Sequence, residues 1–177
     1  KTMTRRIVPI DLYNQTDWKA VAEGDLEAVV DGDGYYHDIR NCGKYRVGEE
    51  VAIAQSYEAI GLTFISPPDT QWGCTYEMQG YSNKMFVRAD LMPHRIRITN
   101  IKVERLQDIT DEDCLKEGVE KWIDCYIVPG IMENQGKNNV CFDTPREAFA
   151  ALIDRISGKG TWQRNPWVFA YTFELVK

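Results

Sequence analysis

The C-terminal stretch NPWVFAYTFELVK constrains the fold most strongly, because its apolar residues occupy both faces of an extended chain. One face of the extended stretch carries Val168, Ala170 and Val176. A strand with one exposed face alternates between apolar and polar residues, whereas a strand covered on both faces is apolar almost throughout. The pattern therefore predicts a mostly buried strand. The other face of this strand consists of Trp167, Phe169, Tyr171, Phe173 and Leu175.

Three other parts of the chain are typical of strands. Residues 27–30 and 35–37 flank two Asp-Gly pairs, which suit the positive-φ positions of a hairpin turn. Residues 44–57 predict a strand that follows a turn at Gly48 and alternates between two faces from Val51 to Tyr57. In RIRITNIKVERLQ the apolar alternation shifts by one position at Thr99-Asn100, which predicts a bulge or bend there.

Two helices are marked by signals at both ends. The first begins at the cap Thr110 and stops at Gly118. The second begins at the cap Thr144, where Glu147 completes a capping box, and stops at Gly158. The apolar face predicted for the second helix consists of Phe149, Leu152, Ile153 and Ile156.

Two stretches interrupt these elements. Residues 59–84 show no clear periodicity, and residues 121–140 form a second excursion; long loops in compact domains are often functional. The 177 residues suffice for one domain with insertions and a sizeable core. Since strands outnumber helices, the pattern predicts an α+β fold, a small barrel or sheet with inserted helices.

The formal net charge of −6 limits the classes of partner. It argues against a protein that binds phosphate backbones over its whole surface, because such proteins are normally basic. A local basic patch remains compatible with it, and the opening KTMTRR has three basic residues among six. No apolar run approaches the length of a membrane span and no signal peptide is visible, so we expect no membrane partner.

The cysteines favour a reducing compartment. They are separated by wide, irregular gaps, and no Cys-x-x-Cys motif occurs. The only histidines are His37 and His94, so the sequence offers no convincing set of zinc ligands. This usage predicts reduced thiols in a cytoplasmic protein, without metal or cofactor. The five are Cys42, Cys74, Cys114, Cys125 and Cys141.

Several segments together resemble the ASCH domain family of the PUA-like superfamily, especially its longer phage and prophage members. The opening KTMTRR is similar to the end of the family's G-x-K-x-x-T-x-R signature, with Lys1, Thr4 and Arg6 at matching positions. The strand VGEEVAIAQSY, the central RITNIKVERLQDITDEDCLKEGV and the closing FAALIDRISGKGTWQRNPWVFAYTFELV resemble later parts of the family in the same order. In that family a helix and a Gly precede the signature Lys, which predicts a further segment upstream of Lys1.

The resemblance implies a PUA-like β-barrel over residues 1–177, with a cleft for RNA or a modified nucleoside. Some small relatives are amidohydrolases on N4-acetylcytidine, and they use the signature Lys and Thr with a Glu on the following strand. Transferred by position, these roles fall on Lys1, Thr4 and Gln55. The ligand-binding residues expected around them are Arg6, Ser56, Tyr57, Arg95 and Arg97.

Gln55 stands at the position where the family's Glu moves protons, and an amide cannot do this near neutral pH. General acid–base help is commonly worth ~10²–10⁴ in rate, so its loss weighs against hydrolysis. Gln55 can still recognise a base edge through paired donor and acceptor bonds. Lys1 acts as a base or nucleophile when burial or neighbouring cations such as Arg5 and Arg6 lower its pKa.

The sequence therefore favours an RNA- or nucleoside-binding protein, in which Arg6 holds a phosphate or carbonyl group. Two alternatives remain open. One is an amidohydrolase on N4-acylated cytidine, or a nuclease, and the other is a phage accessory module that binds a protein. Arg95 and Arg97 share one side of their strand, so they either join Lys1, Arg5 and Arg6 in a basic patch or lie on a solvated barrel face.

Overall fold

The computed structural model describes residues 1–8, 16–17, 28–31, 36–38, 42–65, 73–74, 79–133 and 138–176. The chain divides into two compact units. The first consists of Lys1–Val47 and Thr99–Phe173, and the second consists of Gly48–Ile98 and Glu174–Lys177.

Strands and helices occur together, in agreement with the predicted α+β class, whereas closure into a PUA-like barrel stays a prediction. The strands are β1 (Met3–Ile7), β2 (Thr16–Asp17), β3 (Ala28–Asp31), β4 (Tyr36–Asp38), β5 (Glu50–Ala52), β6 (Phe64–Ile65), β7 (Gly73–Cys74), β8 (Arg95–Arg105), β9 (Glu120–Trp122), β10 (Cys125–Ile127), β11 (Met132–Glu133), β12 (Asn138–Asn139) and β13 (Trp167–Val176). The α-helices are α1 (Asp111–Lys116), α2 (Pro145–Ser157) and α3 (Thr161–Arg164), and short 3-10 helices cover Ala89–Leu91 and Leu106–Asp108.

In the first unit, the closing strand β13 lies between β1 and β8. β1 runs antiparallel to β13, with Met3 opposite Thr172. On the other side, the Leu106 amide just after β8 donates to the Pro166 carbonyl oxygen just before β13, at 3.0 Å. β13 therefore has hydrogen-bonded neighbours along both of its edges.

The first half of β13 is buried as its sequence predicts, since no residue from Trp167 to Tyr171 is more than 5% exposed, whereas the prediction is wrong for Leu175, which is 58% exposed. One of its faces packs into the core of the first unit, which α1 and α2 cover. This burial is the main apolar stabilisation of the unit, because free energy scales with the apolar area removed from water. The buried core residues are Leu106, Ile109, Cys114, Val119, Val128, Ala148, Phe149, Ile153 and Val168.

Helix α2 begins and ends where its caps predict. The Thr144 hydroxyl accepts from the Glu147 amide at 3.2 Å, the Glu147 carboxylate accepts from the Thr144 amide, and Gly158 has a φ of 97°. Ile153 is buried, but Ile156 is 65% exposed, so its assignment to the apolar face is wrong. The reason is that Ile156 lies in the last turn, one turn beyond the core residues that α2 contributes. At 13 residues α2 is the longest described helix, and none of the described helices could cross a bilayer.

Helix α1 also follows its caps. The Thr110 side chain accepts from the Asp113 amide at 3.2 Å, and Gly118 has a φ of 105° just beyond the helix. A positive φ is readily adopted by Gly, so the chain can turn away there. The helix buries Cys114, and burial raises the pKa of that thiol to about 12.

The long strand predicted for residues 44–57 is wrong in its extent. Only β5 forms, and in the second unit it pairs antiparallel with the first residues of β8, with Val51 opposite Ile96. The chain then leaves the extended conformation, and the Leu62 amide donates to the Tyr57 carbonyl oxygen across a turn. The alternation was misleading because Tyr57 is buried in a loop, where it packs with Met92 in a small apolar cluster.

The buried positions of β8 shift by one residue at Thr99-Asn100, as the apolar alternation predicts. Thr99 and Asn100 are both exposed, and they separate the buried Ile98 from the buried Ile101. The strand nevertheless runs without interruption from Arg95 to Arg105, so a local change of face accommodates the shift.

The predicted hairpin near the N-terminus is confirmed as β3 and β4, which pair antiparallel with Val29 opposite His37. The residues between them lie outside the described part of the chain. The two excursions contain short antiparallel pairs rather than continuous loops: β6 with β7 in the first, and β9 with β10 and β11 with β12 in the second.

The prediction that all five thiols are reduced is wrong, because Cys125 and Cys141 form a disulfide with a Cα–Cα distance of 5.6 Å. The pairing was invisible in the sequence because tertiary structure creates it. Tyr126 and Phe142 exchange backbone hydrogen bonds at 2.9 Å, and each is the neighbour of one of the cysteines.

The turn between β9 and β10 holds a strained residue. Ile123 has a φ of 51° and is 78% exposed, and this conformation is unfavourable for a β-branched side chain. We expect Ile123→Gly to raise the free energy of unfolding by about 1 kcal/mol, since relief of strain exceeds the entropy lost by glycine. Urea denaturation measures the change.

The matched control is Asp124→Gly, in the same turn but without a positive φ. It should lower the free energy of unfolding by about 0.5–1 kcal/mol through the entropy of the unfolded chain. Equal effects of the two substitutions would show that the conformation of Ile123 is not strained.

Candidate functional site

Strand β1 presents its two adjacent arginines to opposite faces. Successive side chains of a strand point in opposite directions. The Arg5 side chain is 1% exposed, whereas Arg6 is exposed. The basic opening is therefore not a uniform surface patch, and the prediction that Arg5 belongs to such a patch is wrong. Arg5 points inward because buried carboxylates meet it there.

The guanidinium of Arg5 lies among three carboxylates, which together we call the Arg5 cluster. Its Nε and Nη2 donate to Glu104 Oε1 at 2.8 and 2.5 Å. Its Nη1 donates to Glu117 Oε1 at 3.2 Å, and Nη2 lies 3.3 Å from Asp113 Oδ2. The guanidinium carbon also lies 5.9 Å from the centroid of the Phe149 ring. A single side chain thus joins β1 to β8 and to the end of α1.

Three lysines border the Arg5 cluster. Lys1 Nζ lies 3.3 Å from Glu117 Oε2, and Lys116 Nζ donates to Asp113 Oδ1 at 2.9 Å. Lys102 Nζ lies 2.6 Å from Glu104 Oε2 without the angles of a directed hydrogen bond. Each carboxylate therefore faces Arg5 on one side and an exposed lysine on the other.

Two carboxylates of the cluster respond to this environment in opposite directions. Burial raises the pKa of Glu117, although the charges of Lys1 and Arg5 oppose this. Burial also disfavours ionised Asp113, but the hydrogen bond and charge of Lys116, together with Arg5, outweigh it and lower its pKa. Both shifts follow from the balance between desolvation and nearby charge.

The opposite face of β1 carries Thr4 and Arg6 next to the aromatic face of β13. Thr4 lies opposite Tyr171 in the register, and Arg6 lies opposite Phe169. Residues directly opposite in an antiparallel pair have side chains on the same face. Burial raises the pKa of the Tyr171 hydroxyl, and the nearby charge of Arg6 opposes this. Arg6 therefore lies close to Tyr171.

Residues 43–45 approach the same hydroxyl from the loop before the second unit. The Lys44 amide donates to Tyr171 Oη at 2.9 Å, and the Tyr45 ring meets the Tyr171 ring edge-on at 5.4 Å. The Lys44 ammonium lies 5.3 Å from the centroid of the Tyr45 ring. We call this assembly the Tyr171 face; its members are Thr4, Arg6, Lys44, Tyr45, Phe169 and Tyr171.

The close approach to Tyr171 requires glycine at position 43. A Cβ on Gly43 would collide with the Tyr171 hydroxyl oxygen, and the ring Cζ would be 3.3 Å away. Tyr171 is fully buried, so it has little room to move.

Lys1 and Thr4, both predicted to be catalytic, meet different surroundings. The Lys1 ammonium contacts Glu117 of the Arg5 cluster, whereas Thr4 lies on the Tyr171 face. Among the described contacts, no hydrogen bond joins the two side chains. The Lys1 side chain is 46% exposed and is ion-paired with Glu117.

Gln55 and its neighbours lie in the second unit. The side-chain oxygen Oε1 of Gln55 is buried and accepts no hydrogen bond from the described residues. The backbone amide of Gln55 donates to Met92 Sδ at 3.3 Å. The Ser56 hydroxyl accepts from the Ala59 amide at 3.2 Å, and the Tyr57 hydroxyl accepts from the Arg88 amide at 3.0 Å. Ser56 and Tyr57 thus have structural hydrogen bonds, and a role in ligand binding stays a prediction.

The predicted pair Arg95 and Arg97 also lies in the second unit. Arg97 donates to Glu50 at 2.8 Å and lies 3.7 Å from Glu174, and Arg95 donates to the Ala89 carbonyl oxygen at 3.4 Å. Arg97 is therefore largely neutralised by its neighbours, which weakens its attraction for an anion. A cleft shared with Lys1, Thr4 and Arg6 stays a prediction.

The sequence offered little signal for the carboxylates that were missed. Glu104 lies on the face of β8 that carries Asn100 and Lys102, opposite Ile101 and Val103, and Glu117 precedes the glycine that ends α1. Charges are rarely buried alone, and the partner of both, Arg5, is distant in the sequence. Lys44 and Tyr45 carried no signal, since only the fold brings them to Tyr171. Within the described residues, no group of His, Cys, Asp and Glu is arranged to hold a metal ion.

No protein family, curated protein or solved structure matches this chain. The resemblance to the ASCH family therefore stays a prediction from sequence, and function has to be argued from the geometry of the two faces of β1.

The collision at position 43 yields a test of the Tyr171 face. We expect Gly43→Ala to lower the free energy of unfolding by about 1–3 kcal/mol, because overpacking forces Tyr171 to shift. Tyr171→Phe removes the colliding oxygen, so Gly43→Ala should be less destabilising in that background. A double-mutant cycle by urea denaturation measures the coupling. Additive effects would contradict the contact.

The opposite pKa shifts of Asp113 and Glu117 predict opposite pH dependences. Folding lowers the pKa of Asp113, so ionised Asp113 stabilises the folded state above about pH 4. This contribution is lost as the pH falls. Glu117 binds its proton more tightly in the folded state, so its contribution is present at acid pH and lost as the pH rises through its raised pKa.

The measurement is the free energy of unfolding between about pH 3 and about pH 7 for the wild type, Asp113→Asn and Glu117→Gln. With rising pH, the advantage of the wild type over Asp113→Asn should grow, while its advantage over Glu117→Gln should shrink. Changes in the same direction would contradict the assigned shifts.

Proposed function

We propose that this protein binds RNA or a modified nucleoside, and that the Tyr171 face makes the phosphate contact. The observation that carries the proposal is that two exposed basic residues adjoin one buried tyrosine: the charge of Arg6 acts on the Tyr171 hydroxyl, while the Lys44 backbone amide donates to that hydroxyl and the Lys44 ammonium lies 5.3 Å from the centroid of the Tyr45 ring. Among the described residues, no carboxylate forms an ion pair with either of them. Cations beside aromatic rings are typical of surfaces that bind single-stranded nucleic acid, and Tyr45 is the partly exposed ring here, since Phe169 and Tyr171 are buried.

The division of charge between the faces of β1 supports this proposal. Arg5 is paired with three carboxylates, whereas exposed Arg6 forms no ion pair with a carboxylate of the described residues. Arginine is well suited to phosphate because its planar fork matches two oxygens. A net charge of −6 is compatible with such binding because the attraction is local.

Gln55 supports recognition rather than hydrolysis. Its buried Oε1 lacks a donor among the described residues, and an unsatisfied acceptor is unfavourable by ~1–3 kcal/mol. If the side-chain amide of Gln55 rotates, its Oε1 can accept a hydrogen bond from an N–H group of a ligand, since that terminal torsion has a broad minimum. The amide cannot transfer protons as a carboxylate does, and Lys1 is held in an ion pair. These features favour binding over the amidohydrolase alternative.

The test is the anisotropy of a labelled single-stranded RNA of ~15 nucleotides, titrated at low and moderate salt. We expect saturable binding that weakens with salt. Arg6→Ala and Lys44→Ala should each weaken binding roughly fivefold, about 1 kcal/mol, and lower the salt slope by about 0.7. The control Lys159→Ala removes the same charge from an exposed turn and should leave both quantities unchanged.

Equal losses in Arg6→Ala and Lys159→Ala would show attraction without a site. Absence of binding at both salt concentrations would contradict the RNA part of the proposal, and nucleosides would then be titrated directly. Turnover of N4-acetylcytidine that disappears in Lys1→Ala would favour the amidohydrolase. A stable complex with a protein, without any nucleic-acid or nucleoside binding, would favour the interaction module.

A further inference from the structure

We propose that the Arg5 cluster sets the register of β1 against β13 and thereby selects which of the two adjacent arginines faces solvent. Arg5 is then a positioning residue for the contact made by Arg6. The consequence for RNA rests on the function proposed above, whereas the register itself is independent of it.

The sequence of β1 does not specify its own register. In MTRRI, a shift by one residue exchanges the two faces and would turn Arg6 inward in place of Arg5. Thr4 would then take the inward position of Met3, whereas at the end of the strand Ile7 is 43% exposed and Val8 is already buried, so among the apolar side chains only Met3 favours the observed arrangement. Both registers supply one arginine to the buried carboxylates.

The observed contacts favour one of the two registers. With Arg5 inward, its Nη1 lies 3.3 Å from Met3 Sδ while the guanidinium joins Glu104 and Glu117. The residues before the strand are anchored by the same region, since the Thr2 amide donates to the Lys116 carbonyl oxygen at 3.0 Å. Lys1 completes this arrangement by its ion pair with Glu117. A slipped strand would have to break these contacts together.

Because they are buried, the carboxylates of the Arg5 cluster require cations supplied by the protein. The side chains of Glu104 and Glu117 are 4% and 3% exposed, so water cannot replace a missing cation. Removal of one partner from a buried ion pair leaves an uncompensated charge, which is strongly destabilising. If Arg5 loses its charge, Glu104 and Glu117 keep only the lysines on their exposed side, Lys102 and Lys1, and inward rotation of Arg6 by a register slip supplies a buried cation in its place.

Backbone hydrogen bonds give the register a direct signature. The Val8 amide donates to the Trp167 carbonyl oxygen at 3.0 Å, and the Phe173 amide donates to the Thr2 carbonyl oxygen at 2.9 Å. Because hydrogen-bonded positions alternate in an antiparallel pair, the amides at positions 4 and 6 also point toward β13. The amides at positions 3, 5 and 7 point away from it. A slip by one residue exchanges the two sets.

The experiment is amide hydrogen exchange, followed by NMR on the 15N-labelled protein, in the wild type, Arg5→Met and the matched control Arg6→Met. We expect slow exchange at positions 4, 6 and 8 in the wild type and in Arg6→Met. In Arg5→Met, slow exchange should move to positions 3, 5 and 7. Unchanged protection at positions 4, 6 and 8 in folded Arg5→Met would overturn the proposal.

Arg5→Lys keeps the test decisive when Arg5→Met does not fold. Lysine retains the charge but cannot pair with several carboxylates through a planar fork. We expect at least tenfold faster exchange at positions 4 and 6, with exchange at the centre of β13 unchanged. Exchange equal to the wild type at positions 4 and 6 would overturn the proposal.

Binding to the labelled RNA separates this inference from the proposed function. Arg5→Met should lose as much affinity as Arg6→Ala, and adding Arg6→Ala to Arg5→Met should cause no further loss, because the slip has already buried Arg6. Wild-type protein that binds no RNA would contradict the proposed function, while the exchange pattern would still decide the register.

Discussion

The first unit depends on the buried guanidinium of Arg5. This one side chain links β1 to Glu104 near the end of β8, to Asp113 in the first turn of α1 and to Glu117 directly after that helix. Its five donors lie in a rigid plane, so it can satisfy several carboxylates at once. The carboxylates have little access to water, and the cluster is therefore stable with all of its members present and unfavourable with any one missing.

The same interaction gives β1 two different faces. A strand alternates, so holding Arg5 inward places Thr4 and Arg6 outward, beside Phe169 and Tyr171. The inward face pairs Arg5 with carboxylates, and the outward face carries the exposed Arg6 on a protein of net charge −6. The proposed contact with an anion rests on this difference between the two faces.

Predictions from sequence succeeded where neighbours along the chain decide the structure. The caps Thr110 and Thr144 place both helix starts, because a hydroxyl reaches an amide three residues away. Prediction failed where distant residues decide. Residues 44–57 alternate like a strand, but only β5 finds a partner, and Tyr57 is buried by Met92 instead. Of the site, Arg6 was named from the sequence as a ligand-binding residue, a role that stays a prediction, whereas Lys44 was missed because only the fold brings it to Tyr171.

The sequence by itself determined the elements whose hydrogen bonds are local, namely the hairpin of β3 and β4 and the ends of α1 and α2, together with the apolar first half of β13. Tertiary structure alone decided the inward direction of Arg5, the pairing of Cys125 with Cys141, and the assembly of the Tyr171 face. The physical reason is distance along the chain, since Arg5 and Glu117 are 112 residues apart. A tandem Arg-Arg has equal chemistry at both positions, and it is the arrangement of buried carboxylates around β1 that makes the two arginines different.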